Sequence, residues 1–360
     1  MGVKAKSAVA GASAVLVALG GTTAVAVPAD DPSPQEIFEE AAPATVHVIG
    51  NSALGSGFVY DADEGLILTN AHVVEGQGAL KVVIDDKEPV PVRLLGSDPC
   101  EDLAVVKLTS PQDDLKELEF GDSGDVKAAD TVTALGYPTS LTDYATQKPV
   151  YTSGSVQSPD VPADLSVSYP HLPATIQHSA TLNHGNSGGP LLNTDGKVVG
   201  INTLGNSEAQ GQYYSIAGDH AKPLLDGLVA GDRKNDPGWE LVSLEDPALS
   251  SAYYFPDLQD QRYVLDMQNQ LLDEGVTGLF VMSTATNSAA DKAKLEEGDV
   301  ITSVKDVPVR TVGDLCDVLQ SAAPGEKLPL AGIYTYNAAT PKYAFGEAWS
   351  TDLALPGKGS

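Results

Sequence analysis

The stretch Asn183-His184-Gly185-Asn186-Ser187-Gly188-Gly189-Pro190-Leu191 decides the reading of this chain. It sets one serine among glycines and then runs into an apolar strand. Glycine opens backbone conformations closed to other residues and lets another chain approach closely. A serine in so tight and exposed a turn suits a nucleophile. The turn can also aim successive N–H groups at one point. The amides of Gly185 and Ser187 are the candidates to hold the oxyanion of a tetrahedral intermediate, with Asn186 shaping the loop between them.

A serine nucleophile needs a general base. Of the six histidines, His72 stands out, because it ends the apolar run Leu66-Ile67-Leu68-Thr69-Asn70-Ala71-His72-Val73-Val74. Such a run gives a base rigid support. The base in turn needs a buried carboxylate to hold its tautomer. Asp102 fits, since Glu101-Asp102-Leu103-Ala104-Val105-Val106 leads an acid into an apolar segment. The order His72, Asp102, Ser187 is that of the chymotrypsin type; subtilisin-type and α/β-hydrolase orders differ. A second string, Gly121-Asp122-Ser123-Gly124, lacks the following glycine and the strand, and reads as a surface turn.

The remaining histidines take structural readings. His47 sits in an apolar strand, as a core or interface residue, and His171 and His178 flank no ligand spacing. His184 either tunes the serine loop or fills a surface turn. No HExxH, CxxC or EF-hand spacing is present, so no metal and no cofactor are expected. Asp61/Asp63 and Asp85/Asp86 read as solvated turns.

Around these motifs lie short apolar runs with Gly, Asp, Asn or Pro between them: Ala44–Ile49, Gly57–Tyr60, Leu66–Thr69, Leu80–Ile84, Leu103–Leu108, Thr131–Leu135, Val198–Asn202 and Tyr213–Ile216. That rhythm predicts an all-β sandwich or barrel. His220–Gly227 reads as a short closing helix. The polar segment 231–238 marks a boundary. Beyond it, strands at Gly278–Ser283, Asp299–Val304 and Leu328–Tyr334 alternate with helical spacing at Ala289–Leu295 and Val312–Ala322, a small α+β module.

At the N-terminus, Lys4 and Lys6 precede an uncharged run to Val27 that contains Ala24-Val25-Ala26. This is the layout of a signal peptide over 1–26, with an uncleaved anchor as the rival reading. Residues 27–35 read as a linker. Cys100 and Cys316 either bridge the two domains or stand as separate buried thiols, and the blander second reading is taken here. The formal charge of −28 and pI of about 4.3 argue against nucleic acid and against anionic membrane surfaces as partners. A hydrophobic fraction of 42% argues against global disorder.

Taken in order, Gly55-Ser56-Gly57-Phe58-Val59, Thr69-Asn70-Ala71-His72-Val73-Val74, Asp102-Leu103-Ala104-Val105, the serine loop and Gly200-Ile201-Asn202-Thr203 resemble the HtrA (Deg-type) serine proteases. Ser288-Ala289-Ala290 with Leu295-Glu296-Glu297-Gly298-Asp299-Val300-Ile301 resembles a PDZ domain. The resemblance implies a mainly β chain: a chymotrypsin-like double six-stranded β-barrel over 36–230, then a PDZ-like domain over 239–356. It implies Ser187 as nucleophile, His72 as base and Asp102 as orienter. It also implies an exported endopeptidase, commonly a homotrimer, that acts on unfolded or secreted proteins. The rival functions are a protease-like chaperone or peptide-binding protein with its chemistry switched off, and a dedicated processing protease for one secreted partner. In the PDZ-like module a peptide C-terminus would add to the strand Leu279-Phe280-Val281, with Gly278 at its carboxylate; the alternative is a plain packing domain. Thr181, Tyr214, Ser215 and Ile216 would line the substrate pocket and favour a small or medium aliphatic residue such as Val, Ala or Ile. Ser158–Ala174 reads as a long loop before the nucleophile strand.

Overall fold

The computed structural model describes residues 32–51, 53–139, 148–205, 211–335 and 344–357; the expected leader lies outside these residues. The linker expected to reach residue 35 ends earlier, at a helix, α1 (Pro34–Ala41). Ser33 and Glu36 form a capping box and Pro34 opens the first turn, so three local residues start this helix. Its apolar side, Ile37 and Ala41, enters the core.

The first barrel comprises β1 (Thr45–Ile49), β2 (Leu54–Asp61), β3 (Leu66–Thr69), a one-turn helix α2 (Ala71–Val74), β4 (Leu80–Ile84), β5 (Val90–Asp98) and β6 (Leu103–Leu108). The second comprises β7 (Thr131–Gly136), β8 (Val150–Asp164), β9 (His171–His178), β10 (Pro190–Leu192), β11 (Val198–Gly205) and β12 (Tyr213–Ala217), followed by α3 (Gly218–Val229). Both are closed six-stranded barrels, ordered β1-β2-β3-β6-β5-β4 and β10-β11-β12-β9-β8-β7. One apolar cluster spans both, joining Phe58 and Leu103 to Leu135 and Ile201.

The expected long loop over Ser158–Ala174 is instead the end of β8, a short loop over Leu165–Pro170, and the start of β9. Gly154, Pro159 and Pro162 hide β8 in the sequence. The strand accommodates the two prolines by shifting register against β9, at three places between Val156 and Ala163. The Ser123 turn is also more than a surface turn. Its buried hydroxyl accepts the Asp219 N–H at 2.9 Å and so caps the first turn of α3.

The C-terminal module comprises β13 (Trp239–Ser243), α4 (Leu258–Asp273), β14 (Leu279–Thr284), α5 (Ala289–Lys292), β15 (Asp299–Val304), β16 (Val307–Pro308), α6 (Val312–Ser321), β17 (Lys327–Tyr334) and β18 (Ala348–Ala354). Its sheet order is β13-β14-β15-β17-β18. This order corrects the peptide site expected at Gly278, Leu279, Phe280 and Val281. β14 is hydrogen-bonded on one side to β13 and on the other to β15, so it offers no edge to an added strand. Gly278 accepts the Leu244 N–H, and the Ile301 carbonyl fills the place where its side chain would stand. The edge strand next to β14 is β13.

The cysteines are a second correction. Cys100 and Cys316 form a disulfide with Cα atoms 5.4 Å apart. The fold folds the β5–β6 turn against α6. There Cys100, 1% exposed, packs in the same apolar cluster as Trp239, Leu315 and Leu319 of the module.

Candidate active site

Asp102 lies in the turn between β5 and β6 with φ +50°, a left-handed conformation that aspartate tolerates better than most residues. Local bonds hold it there. Asn70 Nδ2 donates to its carbonyl at 2.8 Å and the His72 N–H donates to Oδ1 at 3.2 Å. His72 stands on α2 just after β3. Its Nδ1 lies 2.9 Å from Oδ1 and 3.1 Å from Oδ2 of Asp102, which is 2% exposed. A carboxylate accepts only, so Nδ1 carries the proton and Nε2 keeps its lone pair. Thr203 Oγ1 donates to the other side of the carboxylate, at 2.9 Å from Oδ2.

Ser187 stands in the turn before β10, and its Oγ donates to the Thr203 carbonyl at 2.9 Å. Among the described residues no hydrogen bond joins Ser187 Oγ directly to His72; Thr203 bonds both to Ser187 and to Asp102. Gly188 adopts φ +86°, and a Cβ there would stand 2.1 Å from the Ser56 carbonyl and 2.4 Å from Thr69 Oγ1. Only glycine lets the serine loop press so closely on the segment that leads to His72.

The turn also prepares an anion site. The His184 carbonyl accepts the Thr139 N–H at 2.8 Å. In a trans peptide the next N–H points the opposite way, so this bond turns the Gly185 amide toward the serine side. Neither the Gly185 nor the Ser187 amide is bonded to a protein acceptor among the described residues, whereas the Asn186 amide is bonded to Asn183 O. Two free N–H groups flanking a serine are what a developing oxyanion requires.

Comparisons with known proteins agree with this geometry. Residues 55–201 match the model of the trypsin-like peptidase domain, and 280–331 match that of the PDZ domain. The chain is 34% identical over 277 residues to the serine protease Do-like HtrA of Bacillus subtilis, covering 76% of this chain and 58% of that protein. It is 31% identical over 304 residues to the serine protease HhoA of Synechocystis, covering 84% of this chain and 72% of that one. The chain belongs to the HtrA family of serine proteases. An AlgW variant, an HtrA-type protease solved with a tripeptide, has a TM-score of 0.51 at 22% identity over 91% of this chain and 98% of its own; that likeness concerns the fold. This HtrA chain spans little more than half the length of the Bacillus relative.

The four residues expected to line the pocket do not form one wall in this HtrA chain. Neighbouring strand residues face opposite sides. Ile216, 1% exposed, belongs to the apolar core with Ile201. Ser215 donates to Asn202 Oδ1 at 2.9 Å and accepts from His178 Nε2 at 3.0 Å. Tyr214 packs partly buried against the core, and Thr181 is exposed, its carbonyl held by Thr152 Oγ1. The expected preference for a small or medium aliphatic residue thus loses the wall it rested on. Burial pushes His178 down to about 4, so this histidine is a neutral structural donor.

Two functional residues escaped the sequence reading. Thr203 is one. The other is Ser56 on β2, fully buried. Ser56 Oγ donates to the Gly185 carbonyl at 2.6 Å and accepts the Tyr137 N–H at 2.8 Å; its own N–H donates to the Ser187 carbonyl at 2.8 Å. One residue of the first barrel therefore holds both ends of the oxyanion turn. Both residues stand in motifs already noted, Gly-Ser-Gly and Ile-Asn-Thr. Their roles needed the pairing between barrels.

Proposed function

We propose that this chain is an exported serine endopeptidase that cleaves unfolded or partly folded proteins through an acyl-enzyme. The observation that carries the reading is the bonded series His72–Asp102–Thr203–Ser187 beside two unpaired amides. In the free protein the Ser187 hydroxyl rests on the Thr203 carbonyl. Substrate binding calls for a turn about χ1 that presents its proton to His72 Nε2. Free-enzyme geometry of this kind commonly tightens only with substrate. Ser187 Oγ then attacks the carbonyl carbon and His72 takes its proton. The Gly185 and Ser187 amides hold the oxyanion while Asp102 stabilises the imidazolium. His72 returns the proton to the leaving amine, and water repeats the sequence on the acyl-enzyme.

The resting bond of Ser187 is the one observation favouring the rival, a peptide-binding chaperone with its chemistry off. Labelling with a fluorophosphonate separates the two. The protease reading expects stoichiometric labelling of the chain, lost in Ser187→Ala together with casein cleavage. A folded chain that fails to label refutes it. A proteome-wide cleavage profile distinguishes general clearance from processing of one partner. The homotrimer rests on family resemblance and predicts sedimentation at three chain masses. Export rests on the leader pattern and predicts a mature N-terminus after Ala26.

A further inference from the structure

The loop Leu165–Pro170 of the second barrel reaches between β13 and α6 of the PDZ domain. At the outer edge of β13, the Ser243 N–H donates to Ser168 Oγ at 3.0 Å. At the first turn of α6, the Val312 N–H donates to the Val167 carbonyl at 3.0 Å. These donors belong to the two walls, strand edge and helix, between which a PDZ domain takes an added peptide. The next residue, Tyr169, sets its ring edge-on to His72, with centroids 5.6 Å apart at 63°. A covalent tie runs alongside: Cys316 of α6 is bonded to Cys100, in the turn that carries Asp102. A cavity of about 80 Å³ remains between these parts, lined by His72, Asp102, Tyr169, Trp239 and Leu315 among others.

We propose that the PDZ groove of this chain is filled by its own loop Leu165–Pro170, locked there by the Cys100–Cys316 bond, and that this internal ligand makes Tyr169 a positioning residue for His72. The proposal names the partner of the PDZ domain; it rests on the protease reading only for the catalytic part played by His72. A loop tethered at both ends competes at an effective concentration of about a millimolar or more. With a loop segment whose own dissociation constant is about 1–10 μM, an external peptide is then weakened by roughly 10²–10³-fold.

The test uses the full chain carrying Ser187→Ala, so that nothing is cleaved. A fluorescein-labelled peptide ending in a free valine carboxylate is titrated and its anisotropy read. Three forms are compared: the disulfide-bonded chain, Cys316→Ala, and Cys316→Ala with Ser166–Tyr169 replaced by a Gly-Ser linker. Binding should tighten in that order, by about 10²-fold overall. Equal binding by the first and third forms, or none by any, overturns the proposal. Should the linker form not fold, a second measurement decides. Tyr169→Ala should lower kcat about tenfold at unchanged KM and move the acid limb of the kcat/KM pH profile, while Tyr169→Phe restores both. An unmoved profile overturns the positioning role. Fluorophosphonate labelling of the unmutated chain reports separately on the protease reading.

Discussion

The serine half and the histidine–aspartate half of the candidate active site are braced differently. Ser187 and its oxyanion turn are held across the barrel interface by Ser56 and by the Thr139–His184 bond. The His72–Asp102 half is held within the barrels by Asn70 and Thr203 and, in addition, by Tyr169 of the β8–β9 loop, set edge-on, and by the disulfide that ties the Asp102 turn to α6. The one ring contact of the serine loop with the PDZ domain among the described residues is His184 with the exposed Tyr253, 6.4 Å between centroids. Closing the two barrels therefore prepares the oxyanion turn. Orienting the base also involves the C-terminal domain.

The sharpest way to break that contrast is Asp102→Asn. An amide places an N–H or an oxygen against His72 without the charge that selects the Nδ1 tautomer. We expect kcat to fall about 10⁴-fold with KM little changed, measured on a chromogenic peptide. Next comes Ser56→Ala, which touches only the other half. It leaves the Gly185 carbonyl and the Tyr137 N–H buried without this partner and frees the oxyanion turn to rotate. A fall in kcat of about 10²-fold is expected, with the crystal structure of the His72–Asp102 pair unchanged. A variant that keeps full kcat would remove Ser56 from the oxyanion brace. Smaller again, Cys316→Ala opens the loop closed by the disulfide. The chain-entropy view gives a loss of about 5 kcal/mol in stability, or roughly 10 °C in Tm, read by scanning calorimetry.

The two halves also differed in how far the sequence revealed them. Ser187, His72 and Asp102 could be singled out because the proposed roles impose local composition, glycines around a nucleophile and apolar runs under a base and its acid, and the structure links the three through Thr203. β3, β4, β6 and β15 run over the residues expected, because each is mostly buried and turn residues bound them closely. β8 was missed because its glycine and prolines mimic a loop. The face of Ser215 and Ile216 could have been read from strand alternation alone, since neighbours cannot line one wall. The braces were invisible for a different reason. Ser168 and Ser243, or Cys100 and Cys316, carry no local mark of their pairing and meet only when β5–β6, the β8–β9 loop and α6 are folded together.

The smallest expected effect, a pH dependence, sharpens the contrast through a cluster of acids on the base side. Glu75, which ends α2, is raised well above the ordinary carboxylate value by burial, then by Asp236, Glu240 and Asp102. Asp236 and Glu240, facing it from the PDZ side, are also raised by burial, although Arg233 acts against this at Asp236. Asp98 is pushed up to about 6 by burial, against hydrogen bonds from Asn235 and the Cys100 amide. An acid with a raised folded pKa binds its proton more tightly folded than unfolded. Its contribution is present at low pH and is lost as pH rises through the folded value. His220, raised by its bond to Glu101, acts in the same direction. His178 opposes. It stays neutral when folded, so stability falls once pH drops below its unfolded value of about 6.5. Lowering the pH from 8 should therefore raise Tm through His220 and the strongly raised Glu75, whereas Asp98 adds only below about 6, where His178 already opposes. Glu75→Gln should flatten the rise. A slope that survives this substitution would place the titrating groups away from the base and unlink the acid cluster from the second brace.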